Sequence, residues 1–330
     1  MTNEVRVAVL GGDAREVYIA GRLQALGYQV TLFGAAPDGA APDGAAPDGA
    51  APDGAPRGGA APDGAGRITL AESPQAAVTG ANWIVCPSPG LGDGERVYAP
   101  DSPVPIILDA DLLAASSAAE GGLVLGRATP GVVAAARSSG VSVFEMKDDR
   151  ALAVSNATAV AEAMIALLVR KTQRVLPEHR LLVLGYGATG AALTDALLGL
   201  ACSVRVAARR LEHTERARQR GAAPVSWADR VGAMAQSDIV VNTVPSVEAI
   251  PAVAFPQLRD AIVADIASPP GGTDHAAASA AGVDLTWARG LAGARAPQSA
   301  GDAQLRIIVE AIASRTRTQH TAGTRPPALA

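Results

Sequence analysis

Leu181-Leu182-Val183-Leu184 runs directly into Gly185-Tyr186-Gly187-Ala188-Thr189-Gly190, an apolar stretch continues to Leu200, and Ser203-Val204-Arg205-Val206 follows. Strand, glycine turn, helix and strand at this spacing constrain the fold more than any other part of the chain, because they close a βαβ unit with parallel strands. Gly185 permits the tight bend, Gly187 lets the backbone approach a pyrophosphate, and Gly190 lets the helix pack on the strand. Phosphates then sit on the helix N-terminus, where N–H groups and the dipole favour anions. A dinucleotide is the expected ligand of Gly185, Gly187, Ala188, Thr189 and Gly190. The plain alternative is a glycine-rich turn without one.

The end of the second strand selects the cofactor. The residues there are Ala207-Ala208-Arg209-Arg210, with no carboxylate for a ribose 2′-hydroxyl and two guanidinium groups for a 2′-phosphate. This predicts NADP, although a solvated surface arginine also explains either residue. Ser237 to Asn242 reads as a buried strand, so Asn242, Thr243, Val244 and Pro245 fall at a carboxyl end and flank the nicotinamide-side ribose. Ile262 to Ser268 is the next strand. It enters Pro269-Pro270-Gly271-Gly272-Thr273-Asp274, whose N–H groups and hydroxyls suit a carboxylate or amide ligand. A tight turn with Thr273 or Asp274 capping the next helix is the competing reading, and the two are compatible.

The N-terminal part repeats the alternation. Val5–Leu10 predicts a strand, residues 15–26 a helix closed by Gly27, and Tyr28–Phe33 a second strand. Further strands are expected at Trp83–Cys86, Pro105–Leu108, Gly122–Leu125 and Val141–Phe144. A long helix over Ala159–Leu176, capped by Asn156 or Thr158 and stopped by Pro177, separates the two series. The last helix is expected over 298–315, with Leu305, Ile308 and Ile312 on one face, followed by a disordered tail over 316–330. The fold class is α/β: two Rossmann-like parallel-sheet lobes, residues 1–155 and 156–297, with a ligand cleft between them and the last helix returning to the first lobe. The strand of 5–10 ends in Gly11-Gly12-Asp13-Ala14-Arg15, with no third glycine. Asp13 reads either as an N-cap or as part of the chemistry, orienting Arg15 or acting as base.

Pro-Asp-Gly recurs at 37, 42, 47, 52 and 62 inside a low-complexity insert, 35–66. Proline, aspartate and glycine are turn residues with little to bury, so a disordered loop is expected. The insert carries five aspartates against Arg57, and this equals the whole formal charge of −4; the rest of the chain is neutral and offers no basic field to nucleic acid. Cys86 and Cys202 are the only cysteines and form no metal-ligand cluster, which suggests free thiols in a reducing, cytoplasmic setting without a metal site. Cys86 reads as core rather than nucleophile. No apolar run is expected to approach the ~18 residues of a membrane span.

The motifs GGDAR at 11–15, GYGATG at 185–190, AAR at 207–209, NTVPS at 242–246, DIASPPGGTD at 265–274 and GLAGARAPQSAG at 290–301 fall in an order that resembles the A subunit of dipicolinate synthase. The resemblance spans nearly the whole chain outside the insert and the tail, and GGDAR and the Pro-Gly-Gly-Thr-Asp loop are its more specific parts. It implies an oxidoreductase of endospore formers that converts a dihydrodipicolinate-level intermediate of the lysine branch to dipicolinate. It also implies, as partner, the smaller, flavoprotein-like B subunit of the synthase; a homo-oligomer is compatible. On this resemblance Asp13 and Arg15 are the catalytic candidates. Asn156, Ser268, Gly271, Gly272, Thr273 and Asp274 are those for a dicarboxylate substrate. Arg289 adds a positive charge. The sequence departs from the family pattern at Ala188, Ala159, Val160, Arg289 and Gln298.

Two other functions stay open. One is a related two-lobed dehydrogenase of amino or hydroxy acids, which a histidine–carboxylate pair would favour; none is evident in the sequence. The other is a non-catalytic NADP-binding protein that scaffolds the B subunit. Of the four histidines, only His275 falls beside the candidate site. The family usually lacks histidine there, so an acid–base role for His275 is the lesser of its two readings.

Overall fold

The computed structural model describes residues 5–35 and 68–323. Residues 36–66 of the Pro-Asp-Gly insert and 324–330 of the expected tail lie outside the described residues. The described chain divides into two compact units, 5–35, 68–152 and 297–323 in the first and 153–296 in the second. Its helices are α1 (Ala14–Ala25), α2 (Pro74–Val78), α3 (Ala110–Ala114), α4 (Pro130–Ser138), α5 (Arg150–Lys171), α6 (Ala188–Gly199), α7 (Leu211–Gln219), α8 (Arg230–Met234), α9 (His275–Ala280), α10 (Leu291–Arg295) and α11 (Pro297–Gly323).

The first unit holds a parallel sheet of β1 (Arg6–Leu10), β2 (Gln29–Phe33), β3 (Thr69–Leu70), β4 (Trp83–Val85), β5 (Gly122–Leu125) and β6 (Val143–Glu145), in the order β3-β2-β1-β4-β5-β6. Successive side chains of a strand point to opposite faces. Ala8 and Leu10 therefore enter one core, with Leu112 of α3 and Val132 of α4, and Val7 and Val9 enter the other, with Ile19 and Leu23 of α1 and Ile308 of α11. Both faces are covered, as an all-parallel sheet requires.

The second unit repeats the design with β7 (Leu181–Leu184), β8 (Val204–Ala208), β9 (Ala223–Ser226), β10 (Ile239–Asn242), β11 (Ile262–Asp265) and β12 (Leu285–Trp287), ordered β12-β11-β10-β7-β8-β9. Leu181 and Val183 face Met164 and Leu168 of α5 and Leu193 of α6, while Leu182 and Leu184 face Met234, Phe255 and Ala278. Each sheet thus has the doubly wound dinucleotide order, with its switch point between β1 and β4 or between β7 and β10.

Several elements differ from the sequence expectation, each for a local reason. α5 begins at Arg150 rather than Ala159, because the Asp149 carboxylate accepts the Leu152 N–H at 2.8 Å and caps it there. Asn156 and Thr158 are therefore interior to the helix, and the Thr158 hydroxyl bonds back to the Val154 carbonyl at 3.0 Å. α5 ends at Lys171, and Pro177 lies in a separate 3-10 turn, Leu176–Glu178. The expected strand Pro105–Leu108 is a single antiparallel bridge between Ile107 and Arg96, since Pro103 and Pro105 remove two donors. α11 continues through Gly323, past the expected end at 315. α5 is also long and apolar enough, by length and composition, to cross a membrane, contrary to expectation. Alanine supplies much of that apolarity, and Ala161, Met164 and Leu168 are buried in the core of the second unit.

Candidate functional site

The glycine turn of the second unit is built as the motif requires. Gly185 has φ +94°, and a Cβ on it would overlap the Thr243 hydroxyl. A Cβ on Gly190 would overlap the Gly185 carbonyl, so this glycine sets the approach of α6 to β7. Gly187 is different. Nothing lies within 4 Å of the Cβ it lacks, and it is the N-cap of α6 without any side-chain cap. The first amides of α6, at exposed Ala188 and half-buried Thr189, are therefore left for another acceptor. Such a cradle fits a pyrophosphate. Arg209 and Arg210 follow β8, both exposed. Arg210 stands 3.5 Å from the Glu212 carboxylate, whereas Arg209 has no ion-pair partner among the described residues.

Register places Leu184 of β7, Asn242 of β10, Asp265 of β11 and Trp287 of β12 level at one edge of the sheet. Asn242 is fully buried and its amide is committed: it donates to the Val244 carbonyl at 3.0 Å and to Asp265 Oδ1 at 2.8 Å, and accepts the Val244 N–H at 3.1 Å. Thr243 donates to the Leu184 carbonyl at 2.8 Å. Val244 is buried and Pro245 exposed. The Asn242–Pro245 turn thus shapes the edge mainly through its backbone.

Asp265 is the hub of this edge. With no exposed surface, its carboxylate accepts from Asn242 Nδ2 (2.8 Å), Ala267 N–H (3.1 Å), Gly272 N–H (2.6 Å) and His275 Nε2 (2.9 Å). Such saturation is what permits a buried carboxylate. The His275 ring stacks on Trp287, with centroids 4.2 Å apart and planes at 13°. Trp287 is pinned by its Nε1–H to the Ala267 carbonyl at 3.2 Å, and the Arg289 guanidinium lies 5.0 Å over its ring. The loop that feeds this hub turns its polar groups inward. Gly271 N–H bonds the Ser268 carbonyl, the Thr273 hydroxyl bonds the Ile250 carbonyl at 2.7 Å, and Asp274 caps α9 through the Ala277 N–H at 3.0 Å. Ser268 alone of the expected loop ligands has an exposed side chain apart from Asp274.

The first unit's glycine pair is closed by the chain itself. Gly11 N–H bonds the Phe33 carbonyl and Gly12 N–H the Tyr98 carbonyl, both at 2.7 Å. Asp13 caps α1 through the Arg15 N–H, and Glu16 reaches back to the Asp13 N–H at 2.9 Å, a capping box. The Arg15 guanidinium grips the same Asp13 carboxylate through Nε at 2.8 Å and Nη2 at 2.7 Å, and only 4% of the Arg15 side chain is exposed. Burial works against that cation, but the Asp13 hydrogen bond and the neighbouring carboxylates outweigh it and hold the guanidinium above its usual range. A protein carboxylate thus occupies the helix end where a phosphate would sit. Cys86, at the end of β4, is buried, and burial with the nearby Glu16 charge pushes its thiol well above the usual range. It packs in the core with Leu10 and Ile84.

A family model described as the N-terminal domain of the dipicolinate synthase A subunit matches residues 6–48. The A subunit of Bacillus subtilis dipicolinate synthase is 29% identical over 182 residues, a stretch that covers 55% of this chain and only 60% of that protein. The chain resembles the A subunit of dipicolinate synthase. In fold, the crystal structure of the dipicolinate synthase A subunit from Bacillus halodurans matches with a TM-score of 0.70 at 21% identity, over 94% of this chain and 98% of that one. The dipicolinate synthase A chain from Bacillus subtilis matches with 0.70 at 22% identity, over 96% and 99%. The matched N-terminal domain includes the Gly11–Arg15 turn, the part of the pattern that a generic dinucleotide motif does not explain.

Of the residues expected from the sequence, Gly185, Gly187, Ala188, Thr189 and Gly190 are assembled around one turn, and Asn242–Pro245 line the adjoining strand end. Gly271 and Gly272 are brought to Asp265, Thr273 turns to the Ile250 carbonyl, and Asn156 is a half-buried residue inside α5. Asp13 and Arg15 form a pair of their own in the first unit. The sequence reading missed the Asp265–His275 pair. Its signal was an apolar strand ending on an acid, followed by a Gly-Gly turn that brings a histidine back.

Proposed function

We propose that the chain is an NADP-dependent oxidoreductase that forms dipicolinate from a dihydrodipicolinate-level intermediate. The observation that carries the cofactor is the open Gly187 at an uncapped α6, followed at the end of β8 by arginines where an acid would hold a 2′-hydroxyl. The α6 amides hold the pyrophosphate and Arg209, assisted by Arg210, the 2′-phosphate. When bound, the nicotinamide supplies a hydride acceptor. The substrate rests on the resemblance to the dipicolinate synthase A subunit, whose B counterpart is the proposed partner. Oxidation of a dihydropyridine dicarboxylate gains aromaticity, so the work of the protein is to hold two carboxylates and accept a proton. The exposed Arg289 and Ser268 are the groups assigned to the carboxylates. Arg15 acts as a positioning residue through Asp13, because its fork is already engaged.

The test uses purified full-length chain, NADP⁺ or NAD⁺, and freshly generated dihydrodipicolinate, with and without the B subunit. NADP-dependent dipicolinate formation by the chain is the expected result; turnover only with the partner present leaves a scaffold or an obligate pair. Arg209→Ala is expected to lower the preference for NADP over NAD roughly 10- to 100-fold, the value of a charge-assisted contact. An unchanged preference removes the cofactor assignment.

A related dehydrogenase of amino or hydroxy acids is the second reading, and one observation favours it: the Asp265–His275 pair is the kind of group such enzymes use. Turnover of a 2-hydroxy or 2-amino acid panel, with none of dihydrodipicolinate, decides for it.

A further inference from the structure

We propose that His275 is the proton acceptor of the oxidation, presenting Nδ1 at the carboxyl edge of the second sheet while Asp265 and Trp287 fix its ring. This rests on the oxidoreductase reading above and names a residue for it.

The tautomer follows from the partners. Three of the four groups on the Asp265 carboxylate, Asn242 Nδ2, Ala267 N–H and Gly272 N–H, are donors only, so this carboxylate acts as an acceptor throughout. His275 Nε2, at 2.9 Å from Oδ2, is then the protonated nitrogen, and Nδ1 carries the lone pair. The ring is held on its edge by Asp265 and on its face by Trp287, which is itself tethered to Ala267. Nδ1 has no partner among the described residues, and 23% of the His275 side chain is exposed. An accessible nitrogen on a ring oriented by a buried carboxylate is the arrangement of a general base with its positioning group. Asp265, which holds the ring, is level in the sheet with Asn242 and Leu184, the strand end from which the glycine turn departs. The charged groups around it are Asp265, Asp274, which precedes it as the α9 cap, and Arg289, across Trp287.

The step balances simply. One ring C–H bond of the dihydropyridine gives up its electron pair as a hydride to the nicotinamide. A second ring hydrogen leaves as a proton to His275 Nδ1, and the electrons of that bond complete the pyridine ring. Asp265 stays a carboxylate and stabilises the imidazolium that forms.

The test compares the full-length wild type with His275→Gln, which keeps a donor for Asp265 but no base. The expected result is a fall in kcat of about 100-fold or more, loss of the acid limb of the kcat/KM profile, and NADP⁺ affinity by titration calorimetry within about two-fold of wild type, since the cradle at 187–189 is untouched. A readout independent of turnover is ¹⁵N-histidine NMR: the resonance absent from His275→Gln is expected in the Nε2–H form, and to lose that preference in Asp265→Asn. Wild-type turnover together with a His275→Gln kcat within about three-fold, or an Nδ1–H wild-type spectrum, overturns the assignment alone. A wild type that binds NADP⁺ but never turns over dihydrodipicolinate, even with the B subunit, overturns the function reading and this assignment with it.

Discussion

Glu16 shows how one buried atom reaches a measurable property. Its side chain is fully buried; Oε2 completes the capping box of α1, and Oε1 has no hydrogen-bond partner. Burial raises its carboxyl from the ordinary 4.5 to about 7, against the opposing pull of Arg15. The folded protein therefore keeps the proton to a higher pH than the unfolded chain does. The stability this provides is complete below about 4.5 and is lost as pH rises through about 7. Urea unfolding at pH 5 and pH 8 is expected to show a loss of roughly 1–3 kcal/mol in the wild type and a nearly flat response in Glu16→Gln. Equal losses in both would mean that Glu16 is ionised throughout. The sequence carried part of this: an aspartate followed three residues on by glutamate is a helix-start signal. It offered Asp13 as a group to orient Arg15 but not the buried, two-pronged fork, because a side chain's direction at the first turn depends on what packs over it, here the Tyr98 segment that arrives from far along the chain.

The glycine turn before α6 is a case where one element separates folding from binding. Gly185→Ala places a Cβ at positive φ against Thr243 and is expected to destabilise the second unit by roughly 1–3 kcal/mol, read as a lower Tm. Gly187→Ala meets nothing within 4 Å and is expected to melt like wild type, yet, on the proposed dinucleotide reading, to bind NADP⁺ at least about tenfold more weakly in calorimetry, because the methyl group would stand in the path of the pyrophosphate. Wild-type affinity in Gly187→Ala would put the phosphates elsewhere. This turn was legible because its information is local: an apolar strand, three spaced glycines and a helix are adjacent in sequence. The edge strands β3, β9 and β12 were not, since two to four residues such as Thr69–Leu70 have no periodicity of their own and form by pairing with a neighbour. The Asp265 hub failed for the same reason. Its four donors come from β10, the segment between β11 and α9, and α9 itself, and only the sheet register brings them to one carboxylate.

At the scale of the chain, the first unit is discontinuous: its sheet and α1 to α4 precede the second unit, and α11 returns to it from the end of the sequence. Leu305, Ile308 and Ile312 of α11 share a buried core with Ile19, Leu23 and Leu32, and Gly301 lets the helix close on Tyr18. Stopping the chain after Ala296 therefore strips the α11 part of one face of the first sheet and leaves α1 on it. Losing three large core side chains at about 2–5 kcal/mol each is comparable to the whole stability of an ordinary domain. Residues 153–296 keep all six strands of the second sheet, the glycine turn and Arg209. Calorimetry of the truncated chain should accordingly lose the unfolding transition of the first unit and retain that of the second. NADP⁺ at 100 times its Kd should raise the retained transition by the equivalent of about 2.7 kcal/mol, as in the full chain. A truncated protein that keeps both transitions would show that α11 is dispensable to the first core. One that loses NADP⁺ binding would show that the dinucleotide site depends on more than the second unit.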